Sequence, residues 1–292
     1  MARPALSASR SMDVLDLLAA FPARGFTLSE IARATKINVA SCYAVLTALS
    51  ERGYLTRGPN QRVYTLGPAL VAIGDVARQS QPLIARAGDA ALELVRDLGV
   101  PVLLSAVVGD EILGIISIAD AAGRSPGLRV GARMPLIAPI GASFLAWSPQ
   151  SAIETWIASS KHQEYAQDWR HALALTRKRG FQVTLNSPNR PSNASLISEM
   201  ATRQGILDYK DELIRLVESL DGRLSLPETI EADTMYDVIL IASPLLDQNG
   251  EAAFNLCLGG FAEQLSGAAV EAYADRLVQT CLRIMRDDRR QG

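Results

Sequence analysis

Residues 27–55 read TLSEIARATKINVASCYAVLTALSERGYL, and the spacing within this stretch decides the fold of the N-terminal part of the chain. Leu28, Ile31 and Ala32 share one side of a helix predicted over Ser29–Thr35. Lys36-Ile37-Asn38 makes a three-residue turn, and Asn38 is placed to cap a third helix from Val39 to about Arg52. A short side-chain oxygen just ahead of a helix accepts one of its free N–H groups. Gly53 follows at the position favoured after a helix C-terminus. Upstream, Met12, Leu15 and Leu18/Ala19 give a first helix over Ser11–Ala20, capped by Ser11 and stopped by Phe21-Pro22 and Gly25. Two short helices around a tight turn predict a helix-turn-helix.

Stepping about 100° per residue divides the third helix into faces. Val39, Cys42, Val45, Leu46 and Leu49 form the expected core side; Ala40, Ala44, Thr47 and Glu51 lie opposite, flanked by Ser41, Tyr43 and Ala48. An outer face of small residues suits a helix lying deep in a DNA groove, where Ala and Thr methyls meet thymine methyls. The other reading is a helix packed on a neighbouring subunit.

After Gly53, Tyr54–Arg57 and Gln61–Leu66 are β-prone segments around Gly58-Pro59-Asn60, a hairpin in the place of a wing. Phosphate contacts set register and affinity while base-edge contacts carry sequence information. Arg33, Lys36, Arg57 and Arg62 are accordingly expected on phosphates, with Ser41, Tyr43 and Thr47 giving specificity. Charge is divided in the same sense. Residues 1–66 hold eight Lys/Arg against four Asp/Glu, a net +4, which leaves −6 on the rest of a chain of overall charge −2. A basic head on an acidic body implies that the head alone meets a polyanion.

The 292 residues, 48% hydrophobic and 21% charged, suffice for two packed domains. Cys42, Cys257 and Cys281 show no paired metal-ligand spacing, which fits a reducing cytoplasm. Asp13 and Asp16 interrupt the apolar stretch near the N-terminus, so it does not read as a signal peptide. Runs such as Val102–Val108 and Val238–Leu246 fall short of the ~18 apolar residues of a membrane span.

Pro68–Gln79 carries an apolar stripe (Leu70, Ile73, Gly74, Ala77) and reads as a linker helix. Beyond it come a helix at Leu83–Leu98 ended by Gly99, and a hairpin of Val102–Val108 with Ile112–Ala119. A short strand follows at Leu128–Ala132, then helices at about Gly141–Ala146, Pro149–Ser160 and Glu164–Arg179, and a strand at Phe181–Leu185. A second hairpin pairs Val238–Leu246 with Ala252–Leu258, and Gly267–Asp288 closes the chain as a helix. Between residues 186 and 236 the readable features are a Pro/Asn-rich loop at Asn186–Asn193, a helix at about Lys210–Leu220, and Pro227. Hairpin-paired strands with helices alongside indicate an antiparallel α+β layer.

Ser9-Arg10-Ser11 through Leu15, the stretch Thr27–Leu55, and Tyr64-Thr65-Leu66-Gly67 together resemble the IclR family of transcription regulators. Ser41-Cys42-Tyr43 followed by Leu46, Leu49 and Gly53-Tyr54-Leu55 carries the strongest likeness. The resemblance implies a winged helix-turn-helix over residues 1–66, a linker helix over 67–81 that packs on the partner's copy, and a GAF-like effector-binding and oligomerisation domain over 82–292. It adds Arg10 and Asn38 to the DNA-binding residues. It implies an inverted-repeat operator, a homodimer or dimer of dimers, and a small-molecule effector. Ala44 departs from the pattern, which commonly has arginine there. The effector pocket is implied on one face of the sheet, at Pro139, Ile140, Gly141, Ala142 and Ser143 after Gly131–Leu136, and at Ala242 and Ser243 on a late strand. A loop of small residues offers backbone N–H groups to a carboxylate, so an organic acid is the expected ligand class. Pro139 stands where the family has a small hydroxyl residue, and Leu240 where many members have cysteine.

Catalysis is not expected. The chain has no phosphate-binding Gly-rich loop, Gly-x-Ser-x-Gly elbow or His-Glu-x-x-His motif, and no cofactor or metal is called for. His162 and His171, on one expected helix, would sit ~180° apart. The competing reading is a small-molecule-binding assembly module whose winged helix contacts protein; the basic wing argues against it.

Overall fold

A computed structural model describes residues 5–58, 62–186 and 229–289. They divide between Gln81 and Pro82 into two compact units.

The first unit contains α1 (Leu6–Ala20), α2 (Leu28–Ala34), α3 (Val39–Glu51), β1 (Leu55–Arg57), β2 (Tyr64–Leu66) and α4 (Pro68–Gln79). Helix α1 starts five residues ahead of the expected Ser11. Nothing in Leu6–Arg10 breaks a helix, and Ser11 donates its hydroxyl back to the Ser7 carbonyl at 3.0 Å instead of capping. Its buried stripe is Val14 and Leu18, while Met12 is exposed. Helix α2 is opened by a capping box that the sequence reading did not use: Glu30 N–H donates to Thr27 Oγ1, and the Glu30 carboxylate accepts from Thr27 N–H at 2.8 Å.

The exits of α2 and α3 take one form. Ile37 N–H donates to the Ala32 carbonyl and Lys36 N–H to that of Arg33, the paired bonds of a Schellman motif. Lys36 occupies its left-handed position, with φ 55°. At the end of α3 the same pair is made by Tyr54 to Leu49 and Gly53 to Ser50, with Gly53 at φ 72°. Asn38 caps α3 as expected, accepting from Ser41 N–H at 2.9 Å.

Cys42, Leu46 and Leu49 bury the inner face of α3 against Val14, Leu18, Phe26, Ile31 and Leu55. Full burial of a side chain such as Leu46 contributes about 1.5–3 kcal/mol. Val39, expected in the core, is exposed; Ile37, the last residue of the α2 exit, fills the core at that end. Strands β1 and β2 pair antiparallel, and Phe26 bridges to Tyr64. Of the wing tip, Pro59, Asn60 and Gln61 lie outside the described residues. Gly67 follows the wing where no side chain fits: an added Cβ would fall 2.2 Å from the Gly53 carbonyl oxygen. Helix α4 then begins with Ala69 N–H on that same oxygen at 3.1 Å. None of its side chains is buried.

The second unit is a six-stranded antiparallel sheet with helices on both faces. Its elements are α5 (Pro82–Leu98), β3 (Val102–Val108), β4 (Glu111–Ile118), β5 (Arg133–Pro135), α6 (Ala142–Leu145), α7 (Gln150–Ala158), α8 (Ala166–Arg179), β6 (Gln182–Leu185), β7 (Met235–Tyr236), β8 (Val238–Leu246), β9 (Ala252–Gly259), β10 (Leu265–Ser266) and α9 (Gly267–Arg289). Strand order is β5-β4-β3-β9-β8-β6, and β7 with β10 makes a separate two-stranded sheet. The hairpins turn at Gly109-Asp110 and Asp247–Gly250, where Asp247 accepts from Asn249 and Glu251 N–H.

Side chains alternate across the sheet. Val102, Leu104, Ile241, Leu245, Leu256 and Leu258 face α5 and α9, contributing to one core. Leu103, Ala242 and Cys257 face the other way, onto Ala142, Phe144, Trp156 and Trp169 of α6, α7 and α8. Arg276–Asp97 (2.6 Å), Arg283–Glu93 and Arg86–Asp288 tie α9 antiparallel to α5.

Two sequence expectations need correction. The strand read at Leu128–Ala132 lies at Arg133–Pro135; the earlier residues curl over Gly114, with Gly131 N–H on its carbonyl and Gly131 at φ 78°. His162 precedes α8 and sits 3.1 Å from Glu164, so it shares no helix with His171. The expected loop at residues 187–193, the helix at 210–220, Pro227 and Arg290 lie outside the described residues.

Candidate nucleic-acid interface and ligand face

In the first unit the outward side of α3 is Ala40, Tyr43, Ala44, Ala48 and Glu51, all exposed, with Ser41 and Thr47 half-buried beside them. The buried Cys42 thiol is raised by desolvation and acts as packing. Asn38 is committed to its cap. Thr47 donates its hydroxyl hydrogen to the Tyr43 carbonyl at 2.9 Å, which leaves its methyl and its oxygen lone pairs to meet a partner.

The cations separate into two groups. Arg24 is held by Glu30 at 2.6 Å. Backbone N–H of Thr27 then draws the Glu30 carboxyl below its ordinary value, with help from Thr27 Oγ1 and Arg24 against partial desolvation. Among the described residues Arg10, Arg33, Lys36, Arg57 and Arg62 enter no ion pair. Arg33 and Lys36 stand in the α2 exit just ahead of α3, while Arg57 ends β1 and Arg62 precedes β2. Arg57 lies over the Tyr64 ring at 5.0 Å, an arrangement that holds the guanidinium beside the wing. Arg10 is half-buried on α1. Arg52, at the C-terminal cap of α3, is a further exposed cation that the sequence reading passed over as the last residue of a helix.

The second unit brings together all but one of the expected effector residues. Pro139, Ile140, Gly141, Ala142 and Ser143 lead into α6 on the sheet face that carries Ala242. The Ala138–Pro139 bond is cis. Trp156 Nε1 donates to the Ile140 carbonyl at 2.8 Å, tying the loop to α7. A Cβ on Gly141 would lie 2.2 Å from Leu136 Cδ1, and Gly141 adopts φ 85°, so only glycine suits this position. Ser143 Oγ accepts from Asn255 Nδ2 at 2.7 Å.

Ser243 is the exception. It shares the face of Ile241 and Leu245, toward α9, and pairs with Leu256. Its hydroxyl donates to the Gly180 carbonyl at 2.9 Å. Its carbonyl accepts from Cys281, whose thiol burial pushes up to about 12. The side chain is a structural link between β8 and the end of α8.

On the Ala242 face the structure adds polar residues that sequence reasoning did not select: Ser105, Asn255, Gln182 and Thr184. Asn255 was visible as an amide inside the apolar run Phe254–Leu258; its neighbours were not. Burial pushes the Cys257 thiol on this face far up, so it is neutral. Among the described residues no cluster of His, Cys, Asp and Glu is arranged to hold a metal.

Residues 7–59 match the IclR helix-turn-helix domain. No curated protein sequence matches the chain. Among solved structures, an IclR transcriptional regulator from Alicyclobacillus acidocaldarius aligns with a TM-score of 0.64 at 21% identity, over 97% of this chain and 99% of its own. HmgR of Pseudomonas aeruginosa gives 0.64 at 18% identity with the same coverage. So does, at 16% identity, an IclR homolog from Microbacterium hydrocarbonoxydans complexed with 4-hydroxybenzoate. At such identities the likeness is one of fold. The chain thus carries a match to the IclR helix-turn-helix domain at its head and shares the fold of IclR regulators over nearly its whole length.

Proposed function

We infer that the protein is a ligand-responsive transcription regulator that binds an inverted-repeat operator as a homo-oligomer. Residues 1–66 bind DNA, 67–81 link, and 82–292 bind effector and oligomerise. The observation that carries this reading is the pairing of an exposed small-residue face on α3 with Arg33, Lys36, Arg57 and Arg62, exposed cations without ion-pair partners among the described residues. Each is available to a phosphate, and a helix surfaced by Ala40, Ala44 and Thr47 approaches base edges closely. Asn38, Ser41 and Tyr43 border that surface, and Arg10 adds a backbone contact from α1. Exposed Val71, Ile73 and Val76 on α4 support pairing with a second copy, whose two-fold axis an inverted repeat matches.

The effector is a small molecule bound on the Ala242 face, beside Pro139, Ile140, Gly141, Ala142 and Ser143. Support comes from the Microbacterium hydrocarbonoxydans structure, which holds 4-hydroxybenzoate; an organic acid is therefore the leading class. The ligand acts through its different affinities for the DNA-competent and incompetent arrangements. The protein works where its operator is, in the cytoplasm, and among the described residues no helix is long and apolar enough to cross a membrane.

The test is a mobility-shift titration of the full chain on its own upstream intergenic DNA at several salt concentrations. Binding that resists competitor DNA is expected, with log affinity falling linearly in log salt. Weak binding that is equal on all sequences, both there and in a genome-wide selection of bound fragments, would defeat the reading.

A further inference from the structure

Among the described residues, Asn255 Oδ1 and Gln182 Oε1 are buried acceptors with no hydrogen-bond partner, and the Thr176 hydroxyl on α8 has none either. Their residues are 1%, 6% and 1% exposed. Isolated buried acceptors destabilise a fold, and native interiors carry few of them.

These three are not scattered. Gln182 pairs with Ala242 across β6 and β8, and Ala242 pairs with Cys257 across β8 and β9. Asn255 lies two residues from Cys257 on the same strand, so both amides emerge on the face toward α6 and α8. Thr176 continues the inward stripe of Trp169 and Leu173 onto that face. On this face Ala242 pairs with Gln182 and Pro244 with Asn255, so the side chains between the amides are those of Ala242, Pro244 and Cys257. Each amide has its nitrogen engaged, Asn255 on Ser143 Oγ at 2.7 Å and Gln182 on Thr184 Oγ1 at 3.1 Å. What each still offers is an oxygen.

We propose that Asn255 and Gln182 are the specificity-determining contacts of the effector site, and that they select a small molecule bearing hydroxyl or N–H donors. This rests on the reading of the Ala242 face as the effector site and narrows it. A carboxylate brings only acceptors and leaves both amide oxygens unmet, so an organic acid meets one of them for each hydroxyl it carries. The two amides stand two strands apart, about 10 Å across the sheet, and two residues out of line, about 7 Å along it, or roughly 12 Å in all. A ring-sized ligand spans that distance.

The test uses the full chain, Gln182→Met and Asn255→Leu, with 4-hydroxybenzoate and its donor-free ether 4-methoxybenzoate as probes. Without ligand, each variant removes an unmet acceptor and also the amide's bond to Ser143 or Thr184, so the two effects offset and Tm is expected to hold within about 2 °C. A purely structural amide would instead lower Tm on removal. The hydroxylated probe is expected to raise the Tm of the parent more than the ether does, and this difference is expected to vanish in the variant that removes the amide its single hydroxyl meets. A parent that treats the two probes alike overturns the proposal, as does discrimination that survives in both variants. Variants that hold their Tm while the parent shows no discrimination would assign the amides to buried water, again overturning it. The mobility shift is read separately. Probe discrimination without any effect on DNA binding would sink the effector reading and leave the ligand site standing.

Discussion

Lys36 gives the sharpest test of the head, because its two roles predict opposite signs. It is the one non-glycine among the described residues with positive φ, held at 55° in the exit of α2. A side chain with a Cβ in the left-handed region costs about 1–2 kcal/mol, and glycine there costs nothing sterically. Glycine returns part of that gain, about 0.5–1 kcal/mol, through the larger entropy of its unfolded chain. Lys36→Gly should therefore stabilise the head by about 0.5–1 kcal/mol, a Tm increase of about 2–8 °C for a unit of this size. The same change removes an exposed cation ahead of α3, so DNA affinity should fall on every sequence. The log–log salt slope should lose about 0.9 for one phosphate contact. Lys36→Ala separates the effects: it keeps the strained φ, loses the charge, and should weaken DNA binding without the rise in Tm. Thermal melting monitored on the head and mobility shifts at four or more salt concentrations read both quantities. A Lys36→Gly protein that melts lower would refute the strain argument. An unchanged salt slope would remove Lys36 from the phosphate contacts.

Other outcomes follow from single contacts. Thr27→Ala removes the α2 capping box and should cost about 1 kcal/mol. Because the folded pKa of Glu30 lies below its ordinary value of 4.5, its contribution is present above that value and is lost as pH falls through the folded pKa. Acid melts of Glu30→Gln should lack that step; an identical acid profile would contradict the assignment. Arg62→Ala should weaken binding to all sequences alike and flatten the salt dependence, whereas selective loss on one operator would make it a base contact. Ser243→Ala should lower stability by about 1 kcal/mol through the lost bond to Gly180 and leave effector response unchanged, which ligand titration of a melt-corrected sample reads directly.

How much of this was legible depended on whether the deciding contact was local. Asn38 and Gly53 announce the ends of α3 because a cap and a left-handed exit act within a few residues. The Gly109 hairpin is visible for the same reason. The start of α1 was misplaced because Ser11 resembles a cap, and only its bond back to Ser7 shows that a helical turn already precedes it. Lys36 in a glycine's conformation is invisible by type, since lysine does not advertise positive φ. In the second unit the strands could be read from their apolar runs, but the facing of β8 could not. A shift of one residue moves every side chain across a sheet. Ala242 and Ser243 are neighbours in sequence and belong to opposite cores. Asn255 meets Ser143 across 112 residues of chain, a contact no window on the sequence contains.

If residues 1–66 bind DNA as proposed, the surface of α3 constrains how the protein tells one operator from another. Bidentate side chains give the strong base discrimination of direct readout, about 1–3 kcal/mol per pair. The exposed stripe has none: Ala40, Ala44 and Ala48 offer methyls, and Thr47 has already spent its hydroxyl hydrogen on Tyr43. Thr47 therefore accepts from a base amino group or touches a thymine methyl, and cannot donate to guanine O6 or N7. On that reading affinity comes mainly from the cations flanking the helix, and specificity from weaker apolar contacts, Tyr43 and the shape of the DNA. Ala44→Arg tests this division. An arginine in the middle of the exposed stripe should steepen the salt slope by about 0.9 if it reaches a phosphate. If it reaches a guanine, it should impose a new preference at one base pair and leave that slope nearly unchanged. Loss of all binding would mean that the stripe is packed too closely for a long side chain. In that case the small residues are required for approach to the groove, and the steric fit of α3, rather than any single hydrogen bond, selects the operator.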